Sequence, residues 1–112
     1  MGACSRRKGA AWERALVHRF RDAMPGAYIR RGLQYRDGAE CADVIAPKMW
    51  LEAKHHHRTN LRAALAQAQE ASRGRGLWPI AICKDDRQPA TVTLVLDDFL
   101  ELVREWWALK NR

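Results

Sequence analysis

The sequence predicts an α/β domain with one central mixed β-sheet flanked by helices. Three observations predict it. Helical periodicity marks both ends and the middle of the chain, short alternating or β-branched runs lie between, and turn residues separate them. The 112 residues fit one domain, 1–112, with a basic N-terminal segment at 1–9 and no internal repeat or interdomain linker.

The elements follow in order. Residues 5–24 read as a helix, with Leu16, Val17, Phe20 and Met24 as its apolar stripe, Ser5 as its N-cap and Pro25-Gly26 as its stop. Residues 27–31 form a short strand, and the polar stretch 32–40 a loop. Residues 41–46 and 49–54 form two strands joined at Pro47-Lys48. Residues 60–72 form a second helix capped by Asn60, whose small apolar face (Leu61, Ala64, Leu65, Ala68) suits close packing on a sheet. Strands follow at 77–84 and 91–96, with a turn at 85–90 between them. Asp97 or Asp98 caps a last helix carrying Phe99, Leu102, Val103, Trp106 and Trp107. The order is α-β-β-β-α-β-β-α. Trp106 and Trp107 cannot both face one core at helical spacing, so one is expected at a dimer interface.

Composition narrows the class. Apolar residues make up 47% and charged residues 29%, too apolar for disorder. No apolar run approaches the ~18 residues of a membrane span, and no apolar stretch follows Arg6-Arg7-Lys8 as a secretory signal would require. Neither a membrane role nor secretion is expected. Cys4, Cys41 and Cys83 are odd in number and lack CxxC spacing, which points to a reducing, cytoplasmic compartment rather than a disulfide framework or zinc ribbon.

The net charge of +7 lies wholly in residues 1–36, which hold nine basic and two acidic residues; residues 37–112 balance. Most of the excess is arginine, whose planar fork suits phosphate oxygens. A solubilising surface and a nucleic-acid face are both compatible with this charge. Arg6, Arg7, Lys8, Arg30, Arg31 and Arg36 are candidate DNA contacts. Tyr35 is a candidate stacking residue in the 32–40 loop, for which a helix-covering role is an equal alternative.

Several carboxylates stand where they cost stability. In the strand at 49–54, Glu52 and Lys54 share one face. If Pro47-Lys48 centres an even-length hairpin loop, Ala46 faces Met49, Ile45 faces Trp50, Val44 faces Leu51 and Asp43 faces Glu52. A four-residue loop on that centre is expected, because Pro47 does not suit a type I′ turn. Two acids side by side repel, which a cation between them or a retained proton relieves. Glu13 falls on the apolar stripe of the first helix. These residues suggest a hard-cation site: Asp43 and Glu52 as carboxylate ligands, the Ala53 carbonyl as a further ligand, and Glu13 for a second ion or a water. Lys54 would position the attacking water or stabilise phosphate charge. This is the set that metal-assisted phosphodiester hydrolysis needs. The bland alternative is a Glu52–Lys54 surface pair with Asp43 at a strand end. His56 falls on the Glu52/Lys54 face if the strand continues. His55-His56-His57 suits phosphate contact or a strand-end loop, with a catalytic role for His56 a lesser alternative. Gln67 or Gln69 could orient a water near Lys54, surface glutamine being the commoner explanation.

With these residues in hand, the sequence resembles the PD-(D/E)XK nuclease superfamily, whose hallmark is an acid on one strand and Glu-x-Lys on the next, here Asp43 and Glu52-Ala53-Lys54. More narrowly it resembles archaeal-type Holliday junction resolvases, through Arg7-Lys8-Gly9, Glu13-Arg14-Ala15-Leu16-Val17 and Asp43-Val44-Ile45-Ala46. It departs from the superfamily pattern at Ala42, where a proline usually precedes the first acid, and at His55-His56-His57, where a Ser or Thr commonly follows the lysine. The resemblance implies a restriction-endonuclease-like fold and a catalytic set of Glu13, Asp43, Glu52 and Lys54. It implies Mg²⁺ or Mn²⁺ as cofactor, with no small-molecule cofactor, in a bacterial, archaeal or phage-infected cell. The implied activity is a homodimer cutting branched DNA symmetrically. The alternatives are another nuclease of the superfamily, restriction- or repair-like on ordinary duplex or single-stranded ends, and a non-catalytic basic nucleic-acid-binding module.

Overall fold

The computed structural model describes residues 3–32 and 41–112, with side chains from residue 7 onward. Eight elements follow the expected order: α1 (Ala3–Ala23), β1 (Arg30–Arg31), β2 (Val44–Ala46), β3 (Met49–His56), α2 (Leu61–Ala71), β4 (Trp78–Asp85), β5 (Thr91–Leu94) and α3 (Leu96–Lys110). The five strands among the described residues form one sheet in the order β1-β2-β3-β4-β5. Pairing is antiparallel except between β3 and β4, which run parallel with α2 as the crossover. The α/β mixed-sheet class expected from the sequence is therefore the observed one.

Alternation along β3 sorts the two faces. Leu51 and Ala53 point toward α1, where Trp12, Leu16 and Val17 pack with Val44, Ala46, Ile80 and Ile82. Trp50 and Glu52 point the other way. On that side Ala68 of α2 packs against Trp50, and Ala64 against Ala81 and Cys83. The alanine face lets α2 lie close to the sheet. No helix among the described residues is long and apolar enough to cross a membrane.

Several boundaries differ from the sequence expectation. α1 already includes Ser5, so Ser5 does not cap it. β1 shrinks from five residues to two, and β2 begins at Val44 rather than Cys41. β3 runs two residues further, through His56, because it pairs with β4 up to Asp85. β5 stops at Leu94, and α3 starts at Leu96 with Val95 as its cap, without a side-chain capping bond. Asp97 and Asp98 instead lie in the first turn, where carboxylates suit the helix dipole. Asn60 does cap α2, its side chain accepting from the Ala63 N–H at 3.0 Å.

The β2–β3 register is the expected one: Val44 with Leu51, Ile45 with Trp50, Ala46 with Met49. The loop has two residues, not four. Pro47 is followed by Lys48 at φ 68°, the type II pattern of proline first and a left-handed residue second. The Lys48 ammonium reaches the Gly76 carbonyl at 3.2 Å and lies 5.3 Å from the Trp78 ring centre, contacts that help offset its backbone conformation.

Candidate active site

The candidate site forms where β2 parts from β3. Beyond Val44 the ladder bends. The Asp43 N–H donates to the Leu51 carbonyl at 3.1 Å, and the Asp43 carbonyl accepts from Gly32 at 3.0 Å. The Asp43 carboxylate then takes the Ala53 N–H at 2.9 Å. Asp43 is thus fixed by three backbone contacts and turned toward β3.

Gly32 is what lets the chain pass. A Cβ there would stand 1.8 Å from the Ala42 carbonyl oxygen, which is backbone and cannot swing aside. We expect Gly32→Ala to displace the 42–43 segment. Thermal unfolding should show a loss of about 1–3 kcal/mol, and any activity that depends on Asp43 should fall with it.

Glu52 is buried, 3% exposed, on the α2 face. The Trp50 indole N–H, two residues earlier on the same face, donates to it at 3.0 Å. The Arg75 guanidinium covers the other side of that indole, 4.9 Å from the ring centre. Burial first, then the charge of Asp43 and a hydrogen bond with it, push the Glu52 carboxyl up to about 7. Trp50 and Lys54 pull it down less. The two acids therefore stand against each other as the register implies, and a retained proton relieves their repulsion.

Glu13 reaches the same neighbourhood from α1. Its carboxyl is raised by burial, and the charge of Asp43 adds to the rise. Arg31 opposes this, donating to Glu13 Oε1 from Nε at 3.1 Å and from Nη2 at 2.9 Å. Arg31, expected as a DNA contact, is thus tied to an acid of the site. Lys54 lies on the Glu52 face, half-buried, at the edge of a cleft of about 340 Å³ lined also by His56, Arg58, Asn60 and Gln67. Gln67 rather than Gln69 is the glutamine that joins Lys54.

A second cleft, of about 270 Å³, lies on the α1–β1 side. It is lined by Arg14, His18, Arg21, Arg30 and Arg31. Arg21 is anchored to the Ile29 carbonyl at 2.8 and 3.1 Å, and Arg30 lies 5.6 Å from the ring centre of exposed Tyr28. The sequence reading passed over Arg14, His18 and Arg21 as sites. Their i, i+4, i+7 spacing on one helix face was the available signal. The two basic clefts flank the acids: Arg31 joins the first to Glu13, and Lys54 joins the second to Glu52.

The other candidates fall elsewhere. Lys8 makes an ion pair with Asp86 at 2.7 Å, so it is not a free phosphate contact. Arg7 is exposed, and the Arg6 side chain, Tyr35 and Arg36 lie outside the described residues. His55 turns to the α1 side against Trp12 and lies 3.4 Å from Asp86, while His57 is largely exposed. Only His56 of the three faces the Lys54 cleft.

Among the described residues, no three His, Cys, Asp or Glu side chains form a ready-made metal cluster. Asp43 and Glu52 still fit a hard cation, which binds through one or two carboxylates and fills its remaining positions with water and substrate oxygens. Of Ala53, the contact seen is its N–H, which orients Asp43. No protein-family model matches the chain, and no curated protein matches it.

Proposed function

We propose that this protein is a divalent-cation-dependent endodeoxyribonuclease of the PD-(D/E)XK type, acting on branched DNA as a homodimer. The observation that carries the reading is the paired Asp43 and Glu52 carboxyls with Lys54 on the same strand face, between two basic clefts. Mg²⁺ or Mn²⁺ held by Asp43 and Glu52 would polarise the phosphate and lower the pKa of the attacking water. The chain's own residues do the rest. The Ala53 N–H orients Asp43, and the Trp50 indole orients Glu52. Lys54 places positive charge where the pentavalent phosphate gathers negative charge. Arg31 holds Glu13 at the edge of the site. The arginines of the α1–β1 cleft bind the strand's phosphates through counterion release.

The cleft makes its own prediction. Arg14→Gln with Arg30→Gln should weaken DNA binding at low salt and flatten the salt dependence of log K by roughly two units, measured by fluorescence anisotropy. An unchanged slope would place the phosphates elsewhere.

The function is tested by incubating a synthetic four-way junction, linear duplex, single strand and fork with the protein in Mg²⁺ or EDTA. Paired, metal-dependent cuts confined to the junction support resolution. Equal cutting of all substrates keeps the nuclease and removes junction selectivity. Salt-sensitive binding without cutting replaces both with a binding module.

A further inference from the structure

We infer that α3 is the contact through which two copies of this chain associate, packed antiparallel along the line of Phe99, Leu102, Trp106 and Leu109. This deepens the homodimer part of the reading above, and it rests on observations independent of the carboxylate site.

α3 is fifteen residues long and buries none of them. A polar tie to the domain is the Trp78 indole N–H, which donates to Glu101 at 3.2 Å; Leu100 and Val103 are half-buried. The large apolar side chains left in water are concentrated here. Leu96, Phe99, Leu102, Trp106, Trp107 and Leu109 are all exposed, the two tryptophans by 52% and 60%. Phe99, Leu102, Trp106 and Leu109 recur at three- and four-residue spacing, within roughly 80° of the helix circumference. That is the seam by which one helix packs on another. Leu96 and Trp107 lie to one side of it.

The area suits a pair of helices. On the scale of a buried aromatic, six half-exposed side chains offer about 100 Å² apiece. One helix then carries on the order of 600 Å², at the upper end of what a monomer leaves uncovered. Two copies together remove about 1,200 Å², the lower bound of a specific interface.

Charge selects the occupant and its direction. The helix opens on Asp97 and Asp98 and closes on Lys110, with Arg112 just beyond. A two-fold antiparallel partner sets each acidic start against a basic end and opposes the helix dipoles. A parallel partner sets like against like. An anionic lipid surface would meet Asp97, Asp98, Glu101 and Glu105 on the same helix, which disfavours it.

Sedimentation equilibrium of the whole chain, without DNA, tests the inference. The wild type should sediment as a concentration-dependent dimer. Leu102→Glu with Trp106→Glu should weaken association about a hundredfold while far-ultraviolet circular dichroism stays unchanged, because neither side chain belongs to the core. Asp97→Lys with Asp98→Lys should also weaken it, and adding Lys110→Glu with Arg112→Glu should restore it. A wild type that stays monomeric overturns the inference. So does a dimer indifferent to the Leu102 and Trp106 changes, or charge reversals that do not rescue one another. Since no DNA is present, such a failure leaves the hydrolytic reading standing and removes only the interface.

Discussion

Glu52→Gln is expected to reduce metal-dependent DNA cleavage by roughly a thousandfold or more while leaving DNA affinity in EDTA within about twofold. A glutamine keeps the shape of the glutamate. Its carbonyl can still accept from Trp50, and its amide can donate to Asp43, so the β2–β3 junction should hold. What disappears is one of the two carboxylates that would bind the cation. Single-turnover cleavage and anisotropy binding, measured side by side, separate the two effects. Retained cleavage would remove Glu52 from the chemistry. Loss of both binding and cleavage would mean that the substitution had disturbed the fold.

The second large effect concerns stability. Glu52 is raised from 4.5 to about 7, so the folded chain holds its proton more tightly than the unfolded chain does. The linkage sign follows: stability is greatest below about pH 4.5 for this group and falls as pH rises toward 7. The loss is on the order of 3 kcal/mol once Glu52 is ionised beside Asp43. Glu13, also raised, acts in the same direction. His55, lowered mainly by burial, acts in the opposite one, since its contribution improves as pH rises toward 6.5. Thermal melts in EDTA should therefore fall between pH 5 and pH 8. Mg²⁺ or Mn²⁺ should recover the loss at pH 8, because a cation takes over the role of the proton. Glu52→Gln should flatten the profile and abolish the recovery. A wild-type profile that is already flat would contradict the crowding of the two acids.

Much of this was legible in the residues. The element order and the β2–β3 register follow from alternation on either side of Pro47-Lys48, and the register brings Asp43 to Glu52. Helix α2 and its Asn60 cap were readable from a local signal that needs no tertiary context. What escaped depends on contacts between distant segments. The contraction of β1 and β2 reflects the passage of Gly32 over Ala42, which no local pattern encodes. The Arg31–Glu13 pair joins residues from different elements, so no local pattern shows that this candidate DNA contact also holds an acid. The Lys8–Asp86 pair is hidden for the same reason, its partners standing 78 residues apart. The type II turn was missed by weighing Pro47 without the left-handed Lys48 that follows it.

The sheet's outer strands have a consequence for how the chain behaves in company. Among the described residues, one border is two residues long and both are arginines; the other is four residues long, and three of those are Thr91, Val92 and Thr93. A border that brief offers few unpaired amides for another chain to extend, and the exposed Arg30 guanidinium repels a like border brought alongside. Growth by adding strand to strand is therefore closed off at the arginine side and weak at the other. A concentrated solution should stop at small, defined assemblies rather than lengthen into fibrils, even with two tryptophans standing in water on the last helix.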